Sequence, residues 1–343
     1  TMANIKKIIE NLAQKLSPRQ KEVIIGRFGL DNQEELTLAA IGAKYGLTRE
    51  RIRQIENAGL NVIKREISSN VDCQSILSRG KKFLQTNGGV ATEDILLADL
   101  NLIAEGLNRN HLNLLLEATN EFNFYGEDKD FWSFYYTDKE NLASAVKFIN
   151  QLTKHLRSKK EVVLAGNFNK IFGEFTNQQN LKDSIAKNLL SISKKVHKNP
   201  YSDTGLSEWP EIKPQNIRDR IYLVLKKSGE PLHFETITSK INETKFDSKK
   251  ALGPTVHNEL IKDNRFVLVG RGIYGLTEHG YKPGTVQEVI RRILKTQGPL
   301  KAKDISLAIQ KERIVKPNTI LVNLQNRKHF ERLENGAYRV REA

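Results

Sequence analysis

The chain has 343 residues and carries 55 lysines and arginines against 40 aspartates and glutamates, so that its formal net charge is +15. That length predicts two or more domains, because one hydrophobic core rarely serves more than about 250–300 residues. No membrane-spanning run or signal-peptide pattern is present, which predicts a cytoplasmic protein, and the basic balance favours an acidic partner such as nucleic acid.

Charge is distributed unevenly and divides the chain into five predicted modules. Residues 71–137 form an acidic module with five basic and ten acidic side chains, whereas residues 282–343 carry fourteen and six. The other modules each carry twelve basic and eight acidic side chains and span residues 1–70, 138–212 and 213–281. Because each phosphate contact needs a cation, we expect the two ends of the chain to contact DNA and the acidic module to be structural or protein-binding.

A helix-turn-helix is predicted within residues 37–67. Thr37 is a suitable N-cap for a short helix that ends at Gly46, and Thr48 caps a longer helix. Gly42 supplies the small residue that is needed where the two helices touch. The predicted inward stripe of the longer helix consists of Ile52, Ile55, Gly59, Ile63 and Ile67.

The first turns of the longer helix carry polar side chains on the face opposite that stripe. These side chains are Arg49, Glu50, Arg51, Arg53 and Gln54. A recognition helix inserts this end into the major groove, where arginine reads guanine, glutamine reads adenine and glutamate accepts a hydrogen bond from cytosine. A solvated face of a charged helix is the alternative, but the surrounding motif favours contact with double-stranded DNA.

Three runs extend the motif: Leu16–Ile24, Arg27–Leu30 and Thr37–Glu56. Together they cover about residues 16–67 and resemble region 4 of sigma-70 family sigma factors. The resemblance implies recognition of a −35-like promoter element, and it makes the β-flap of RNA polymerase a candidate partner. It implies base contacts by Arg49, Glu50 and Gln54. It also implies contacts at the DNA backbone and groove edge by Arg19, Thr37, Leu38, Thr48, Arg51 and Arg53.

The chain departs from this family pattern at several points. The acidic pair that follows Thr37-Leu38 in the family is Ala39-Ala40 here, and Gly59 in the long helix is expected to cost about 1 kcal/mol relative to alanine. A complete sigma factor melts promoters with a region 2 that precedes region 4. Because 15 residues precede Leu16, the chain is not expected to open promoters in that way.

Self-similarity at a spacing of roughly 65–70 residues predicts a series of winged helices. Three helix-like apolar stretches are each followed by a glycine or proline and a second helix: Ile76–Leu84, Ile217–Leu225 and Val286–Leu294. Each unit ends in two β-like runs around a turn: 122–125 and 131–136, 266–269 and 273–276, 330–333 and 337–340. A fourth copy is predicted in residues 138–212, with a hairpin-like end between Asn199-Pro200 and Trp209-Pro210.

Three stretches carry a second resemblance: Arg218–Leu225, Glu230–Leu232 and Phe266–Gly275. Residues 217–280 are thereby similar to the HARE-HTH domain and to the N-terminal domain of the RNA polymerase delta subunit, which implies DNA or protein binding. Candidate DNA contacts on the predicted third helices and wings are Lys249, Lys250, His257, Lys262 and Arg271. In the last module they are Lys316, Asn318, Asn323, Gln325, Asn326, Arg327, Lys328 and Arg339.

Other chemistries fit the sequence less well. The aromatic residues between Phe122 and Tyr136 could form a base-stacking platform, but their acidic surroundings favour a small core. Asp203 with Glu211 and Lys213 only faintly resembles a nuclease site. The histidines lack metal-ligand spacing, and the single cysteine, at position 73, is expected to be a buried apolar residue. No enzyme activity, cofactor or metal is therefore predicted.

These observations predict a mainly α protein of tandem helix-turn-helix and winged-helix modules with small β-hairpin wings. We expect a sequence-specific DNA-binding transcription regulator or sigma-like accessory factor, located in the cytoplasm and associated with the nucleoid. One alternative is an adaptor that docks on RNA polymerase and reads little DNA. Another is the DNA-recognition component of a restriction or defence system.

Overall fold

The computed structural model describes residues 2–30, 33–247 and 249–341. The chain divides into two compact units, residues 1–197 and residues 198–343, which we describe separately. Helices predominate in both, and the strands form small sheets of two or three. Within the described ranges, no helix combines the length and the apolar character that crossing a membrane requires.

The first unit begins with a helical segment that contains the predicted helix-turn-helix. Its elements are β1 (Ala3–Asn4), α1 (Ile5–Gln14), α2 (Pro18–Phe28), α3 (Leu38–Tyr45) and α4 (Arg49–Ser69). Each helix starts at a residue whose side chain accepts a hydrogen bond from a backbone N–H of the first turn: Asn4, Ser17, Thr37 and Thr48. Such caps satisfy amide groups that would otherwise lack partners, so the helix starts are encoded locally.

The acidic module follows without a linker, because Asn70 both ends α4 and caps the next helix. Its elements are α5 (Val71–Thr86), β2 (Val90–Thr92), α6 (Glu93–Leu100), β3 (Ala104–Glu105), α7 (Arg109–Thr119), β4 (Asn123–Tyr125) and β5 (Phe134–Tyr136). Strand β5 lies between β2 and β4 in an antiparallel sheet. Strand β1 pairs in parallel with β3, and α7 packs against α2 and α4. One continuous core therefore runs from Ile5 to Tyr135.

Residues 138–197 complete the first unit. They form α8 (Lys139–Ser158), α9 (Lys160–Val162), a π-helical segment (Val163–Asn167), α10 (Phe168–Gln178) and α11 (Asp183–Ser191), and the boundary between the units falls within β6 (Val196–Lys198). No strand lies between the helices of this fully described stretch, so the predicted fourth copy does not repeat the pattern of the others. Instead, α8 and α11 pack on the acidic module, where Asn188 Nδ2 donates to the carbonyls of Asn87 and Val90 at 2.7 and 2.6 Å.

The second unit contains two further copies of one arrangement, preceded by β7 (Thr204–Leu206). The first comprises α12 (Ile217–Ser228), β8 (Leu232–His233), α13 (Phe234–Thr244), α14 (Gly253–Lys262), β9 (Phe266–Gly270) and β10 (Ile273–Leu276). The second comprises α15 (Val286–Gln297), β11 (Leu300–Lys301), α16 (Ala302–Gln310), α17 (Pro317–Leu324), β12 (Phe330–Arg332) and β13 (Ala337–Val340). In both, the last strand lies between the other two.

The same order of helices and strands recurs in residues 71–137, apart from the added strand β3 between the second and third helices, so the described residues contain three structural copies. The predicted helices and paired strands are confirmed, and each sheet gains a further strand just before the second helix, which we had not predicted. The copies share buried positions in the third helix and at the start of the following strand or directly before it, at the same spacing. These are Leu112, Leu116 and Phe122 in the first copy, Val256, Leu260 and Phe266 in the second, and Ile320, Leu324 and Phe330 in the last.

The last two copies are joined by backbone contacts within the second unit. The amide of Ile314 donates to the carbonyl of Val269 at 2.7 Å, and Gly270 is so close that a Cβ there would lie 2.8 Å from the Ile314 carbonyl oxygen. Arg313, only 3% exposed, donates through Nη2 to the carbonyls of Lys282 and Gly284. The segment that precedes α17 therefore fixes the last copy against its neighbour.

Candidate nucleic-acid interface

Two hydroxyl caps and a glycine build the turn between α3 and α4. Thr37 Oγ1 accepts from the amide of Ala40 at 3.1 Å, and Thr48 Oγ1 accepts from the amide of Arg51 at 3.2 Å. Gly46 ends α3 with a φ of 64°, in the left-handed region that favours glycine. The helix starts and the break predicted at these positions are confirmed.

The two helices approach each other most closely at Gly42, where a Cβ would lie 2.6 Å from the carbonyl oxygen of Leu47. Because that obstacle is backbone, no side chain fits at this position without moving the turn. Beneath the turn, Val23, Ile41 and Ile52 form a small core, each no more than 1% exposed. The predicted contact glycine and the apolar stripe of α4 are confirmed, with Ile55 half-buried.

Gly59 has a specific packing role. It is buried where α4 crosses α2, and a Cβ there would lie 3.2 Å from Ile24 Cγ1 and 3.6 Å from Gln20 Cβ. The intrinsic helix penalty of this glycine is therefore offset by the close approach of two helices.

Five polar side chains project into solvent from the N-terminal turns of α4. Arg49, Glu50, Arg51, Arg53 and Gln54 are all exposed, although Ile52 in their midst is fully buried. Three arginines are therefore exposed around the first turns of α4, at the positive end of the helix dipole. The arrangement suits a polyanion that approaches the end of the helix.

Most of these side chains are paired with each other. Glu50 accepts from Arg53 at 2.9 and 2.6 Å, and Arg51 Nη1 donates to Gln54 Oε1 at 3.0 Å. The guanidinium of Arg53 lowers the pKa of Glu50 from its ordinary value, so the carboxylate is charged at neutral pH. Exposed pairs of this kind are weak, which leaves all four groups available to exchange partners with a ligand.

The remaining candidates of the first module lie on α2 and α3. The Arg19 guanidinium stacks 4.4 Å from the centre of the Tyr45 ring and is exposed. Thr37 is exposed at the start of α3, whereas Leu38 is half-buried and packs on the core under the turn. Leu38 therefore serves packing in addition to any contact that it makes with a ligand.

Glu56 has a structural role that the sequence analysis did not assign. It accepts from Arg27 Nε at 3.1 Å, while Arg27 Nη1 donates to the carbonyl of Leu36. Burial raises the pKa of Glu56, against the opposing charge of Arg27. The pair ties α4 to α2 and to the segment before α3. The sequence indicates this role of Glu56 by its position four residues after the buried Ile52, which places it on the inward side of α4.

The candidates in the second unit are less concentrated. Lys249 and Lys250 are exposed but lie in the connection before α14, not on the helix to which we assigned them. His257 stacks on Phe234 with ring centres 4.7 Å apart, and Lys262 lies 3.9 Å from Glu259. Arg271 is exposed in the β9–β10 turn. These side chains do not form a single patch on α14.

In the last copy, the predicted contacts lie mainly after α17. Arg327 and Lys328 are exposed in the turn that leads to β12, and Gln325 and Asn326 lie just before them. Asn323 Nδ2 donates to the carbonyl of Thr319 in its own helix at 2.8 Å. The wing residue Arg339 pairs with Glu331 at 2.9 Å. Lys316 and Asn318 are exposed at the start of α17, which carries no charged residue of its own.

The aromatic residues of the acidic module mostly form a core. Phe122, Phe131, Phe134 and Tyr135 are at most 5% exposed, whereas Trp132 is 50% exposed. The interpretation as a core, rather than a base-stacking platform, is supported. Cys73 is fully buried, as predicted, and burial raises the pKa of its thiol to about 11.

Asp203, from the faint nuclease pattern, is engaged by two neighbouring side chains. Asp203 accepts from Asn199 and from Lys227 Nζ at 2.9 and 2.7 Å. Among the described residues, no group of three or more histidine, cysteine or acidic side chains could hold a metal ion. Asp203 is thus used to position neighbouring side chains.

The first module matches a known protein family. Residues 12–65 fit the family model of sigma-70, region 4, in agreement with the predicted resemblance. The RNA polymerase sigma-B factor of Nostoc sp. is 46% identical over 70 residues, 20% of each chain. The chloroplastic RNA polymerase sigma factor sigF of Arabidopsis thaliana is 39% identical over 18% of this chain and 11% of its own. The principal sigma factor HrdD of Streptomyces coelicolor is 44% identical over 17% of each. The chain thus covers a fifth or less of the length of these relatives.

Proposed function

We propose that this protein is a sequence-specific DNA-binding transcription factor that uses α4 as a recognition helix for a −35-like element. One observation carries the proposal: five exposed polar side chains project from the capped N-terminus of α4, inside the segment that matches sigma-70, region 4. In this proposal Arg49, Glu50 and Gln54 contact bases. Phosphates and the groove edge are contacted by Arg19, Thr37, Leu38, Thr48, Arg51 and Arg53.

We further propose that the three structural copies are winged helices and that the one spanning residues 217–280 is a HARE-HTH-like domain. The shared order of helices and the three-stranded sheets support this assignment. Their role would be to add DNA or protein contacts to the reading helix, and Lys249, Lys250, Arg271, Arg327 and Lys328 are the exposed candidates for DNA. Linked weak sites raise the total affinity without any new base contact.

A second candidate function is an adaptor that docks on RNA polymerase, with the β-flap as one proposed contact. The observation that favours it is the apolar outward face of α17, a helix without charged residues in a module rich in them. In that case the side chains on α4 would be dispensable for function, which separates the two candidates.

The proposal is tested with the full chain and two duplexes, one with a TTGACA-like element and one scrambled, over a range of salt concentrations. The variant is Arg49→Ala with Gln54→Ala, and the control is Asn61→Ala with Arg65→Ala. The control pair is exposed on the same helix, with Arg65 about 24 Å from Arg49 along its axis. Both pairs remove one charge and one amide.

We expect the chain to prefer the element, and the first variant to lose that preference by about 1–3 kcal/mol per base contact. The control should change affinity for both duplexes equally and leave the preference intact. Equal, steeply salt-dependent binding of both duplexes by the unaltered chain would contradict sequence reading. Absence of binding at modest salt would favour the adaptor.

A further inference from the structure

The outward face of α17 and the adjoining side of α16 expose apolar side chains. Leu321 is 42% exposed, Val322 59%, and Leu307 on α16 54%. Leu307 and Leu321 line a groove of about 310 Å³ between the two helices. Clustered exposed apolar side chains of this kind mark interaction surfaces, whereas single ones are ordinary. We call the three residues and this groove the α16–α17 face.

We propose that the α16–α17 face is the docking site for an acidic amphipathic helix of a partner protein. The inference concerns a surface of the last copy and does not depend on DNA reading by α4. Three observations carry it: the internal repeat, the charge around the groove, and the chemistry of α17.

The internal repeat gives a direct comparison. The shared spacing of buried residues aligns α7 of the first copy with α17, so that Leu114 corresponds to Val322 and Asn110 to Asn318. In the first copy this helix is covered by protein, because α7 packs against α2 and α4. Leu114 is 1% exposed in the shared core, and Asn110 Nδ2 donates to the carbonyl of Gly29 at 3.0 Å.

The first copy therefore shows what binds a third helix of this type within this chain. Its cover consists of helices, whereas in the last copy the described part of the chain leaves the apolar side chains Leu321 and Val322 of the equivalent helix exposed. A groove between two helices is well suited to an amphipathic helix that inserts residues spaced by three or four positions. The expected partner is thus helical, with an apolar stripe.

The charge around the groove indicates the charge on the polar face of the partner helix. In the first copy an acidic module, with ten acidic and five basic side chains, lies against a basic helix-turn-helix segment. The last module is basic, with fourteen against six, and Lys303 lines the groove while Lys316 lies just before α17. Both lysines are exposed. The complementary partner is acidic.

The same chemistry disfavours DNA and a second copy of this chain as ligands of the α16–α17 face. A DNA groove presents phosphates and polar base edges, but α17 offers Leu321 and Val322 and has no arginine or lysine. A second copy of the same face would bring two lysine-bordered grooves together. An acidic helix satisfies both the lysines and the apolar side chains.

The test uses the full chain and a display library of random 16-residue peptides biased towards helix. Peptides selected on the unaltered chain are sequenced and measured individually against three variants. Leu307→Glu places a carboxylate in the lining of the groove, and Val322→Glu places one on the exposed surface of α17, next to Leu321 in the sequence. Val71→Glu is the matched control, because Val71 is 82% exposed on α5, at a distant position in the sequence. Binding to duplex DNA and sedimentation velocity are measured for each protein.

We expect the selected peptides to share apolar residues at helical spacing with flanking aspartates and glutamates. Val322→Glu and Leu307→Glu should each lower the affinity for the selected peptides at least about tenfold, equal to about 1.4 kcal/mol, whereas Val71→Glu should leave it unchanged. Duplex affinity should be the same for Val322→Glu and Val71→Glu. Selection of basic peptides, or of none sensitive to these variants, would overturn the proposal. So would a specific loss of DNA binding in Val322→Glu, or self-association that this change abolishes.

Discussion

Three helical glycines leave different amounts of room for a side chain, which predicts a graded response to alanine. A Cβ at Gly42 would lie 2.6 Å from the carbonyl oxygen of Leu47, and one at Gly59 would lie 3.2 Å from Ile24 Cγ1. At Gly173, within α10, the described residues outside the adjoining backbone of that helix place no heavy atom within 4 Å of that position. All three glycines belong to the first unit, so the series compares one substitution in three environments.

Two opposing contributions set the magnitudes. Alanine is favoured over glycine inside a helix by about 0.8–1.0 kcal/mol, so Gly173→Ala should raise the free energy of unfolding by about that amount. At Gly42 the obstacle is backbone, and overpacking costs about 1–3 kcal/mol, so after the helix gain a net loss of up to about 2 kcal/mol is expected. Gly59→Ala should lie near zero, since the Ile24 side chain needs to move only a few tenths of an ångström.

Native-state hydrogen exchange measures these changes locally. Amides of α4 report on Gly42→Ala and Gly59→Ala, and amides of α10 report on Gly173→Ala. Because the turn before α4 must move, Gly42→Ala should also weaken any DNA binding by that helix, whereas Gly173→Ala should not. If Gly42→Ala stabilises the protein as much as Gly173→Ala does, the close approach of α3 to Leu47 is refuted.

Three shorter predictions follow from the site. Thr48→Ala should lower the free energy of unfolding by about 1 kcal/mol and speed hydrogen exchange of the Arg51 amide. Thr48→Ser should keep that amide protected, because it keeps the hydroxyl that accepts its hydrogen bond. Equal exchange rates in the two variants would contradict the cap. Because burial raises the pKa of Glu56 above 4.5, the free energy of unfolding should fall as pH rises from 4.5 through that raised value. Glu56→Gln should reduce this dependence of the free energy of unfolding on pH, measured by urea titration at successive pH values. An unchanged dependence would mean that another group causes it. Cys73, fully buried and with a pKa of about 11, should be alkylated by iodoacetamide at pH 8 only as fast as the unit opens, so fast labelling of the folded chain would count against this burial.

The elements that the sequence predicted well are those encoded within a few residues. The caps Thr37 and Thr48, the break at Gly46 and the inward stripe of α4 all follow from local chemistry, and all are present. The strands added before each second helix were missed because two or three residues carry too little pattern to be distinguished from a turn. Their pairing depends on the last strand of the copy, which lies some 40 residues away.

Long-range packing explains the other differences. The helix-turn-helix was expected to be a separate module, but α1, β1 and α7 combine it with the acidic copy in one core. Nothing in the periodicity of α7 states that its outward side chains are buried by α2 and α4. Residues 138–197 show the same limit, since the apolar stripe of α8 predicts a helix but does not identify the sheet that it covers.

The three copies also show which positions the repeat keeps and which positions vary. The two buried positions of the third helix and the buried phenylalanine that follows keep one spacing in all three copies, because they fill the same small core. The position two residues after the first of them varies: Leu114 is buried, Asn258 is exposed and polar, and Val322 is exposed and apolar. Folding of the copy constrains the first set but leaves the second position free to vary. A common fold therefore does not give the three copies a common surface. A substitution at Asn258 or Val322 should leave its copy folded, whereas one at Leu114 should destabilise the core that it shares with the helix-turn-helix segment.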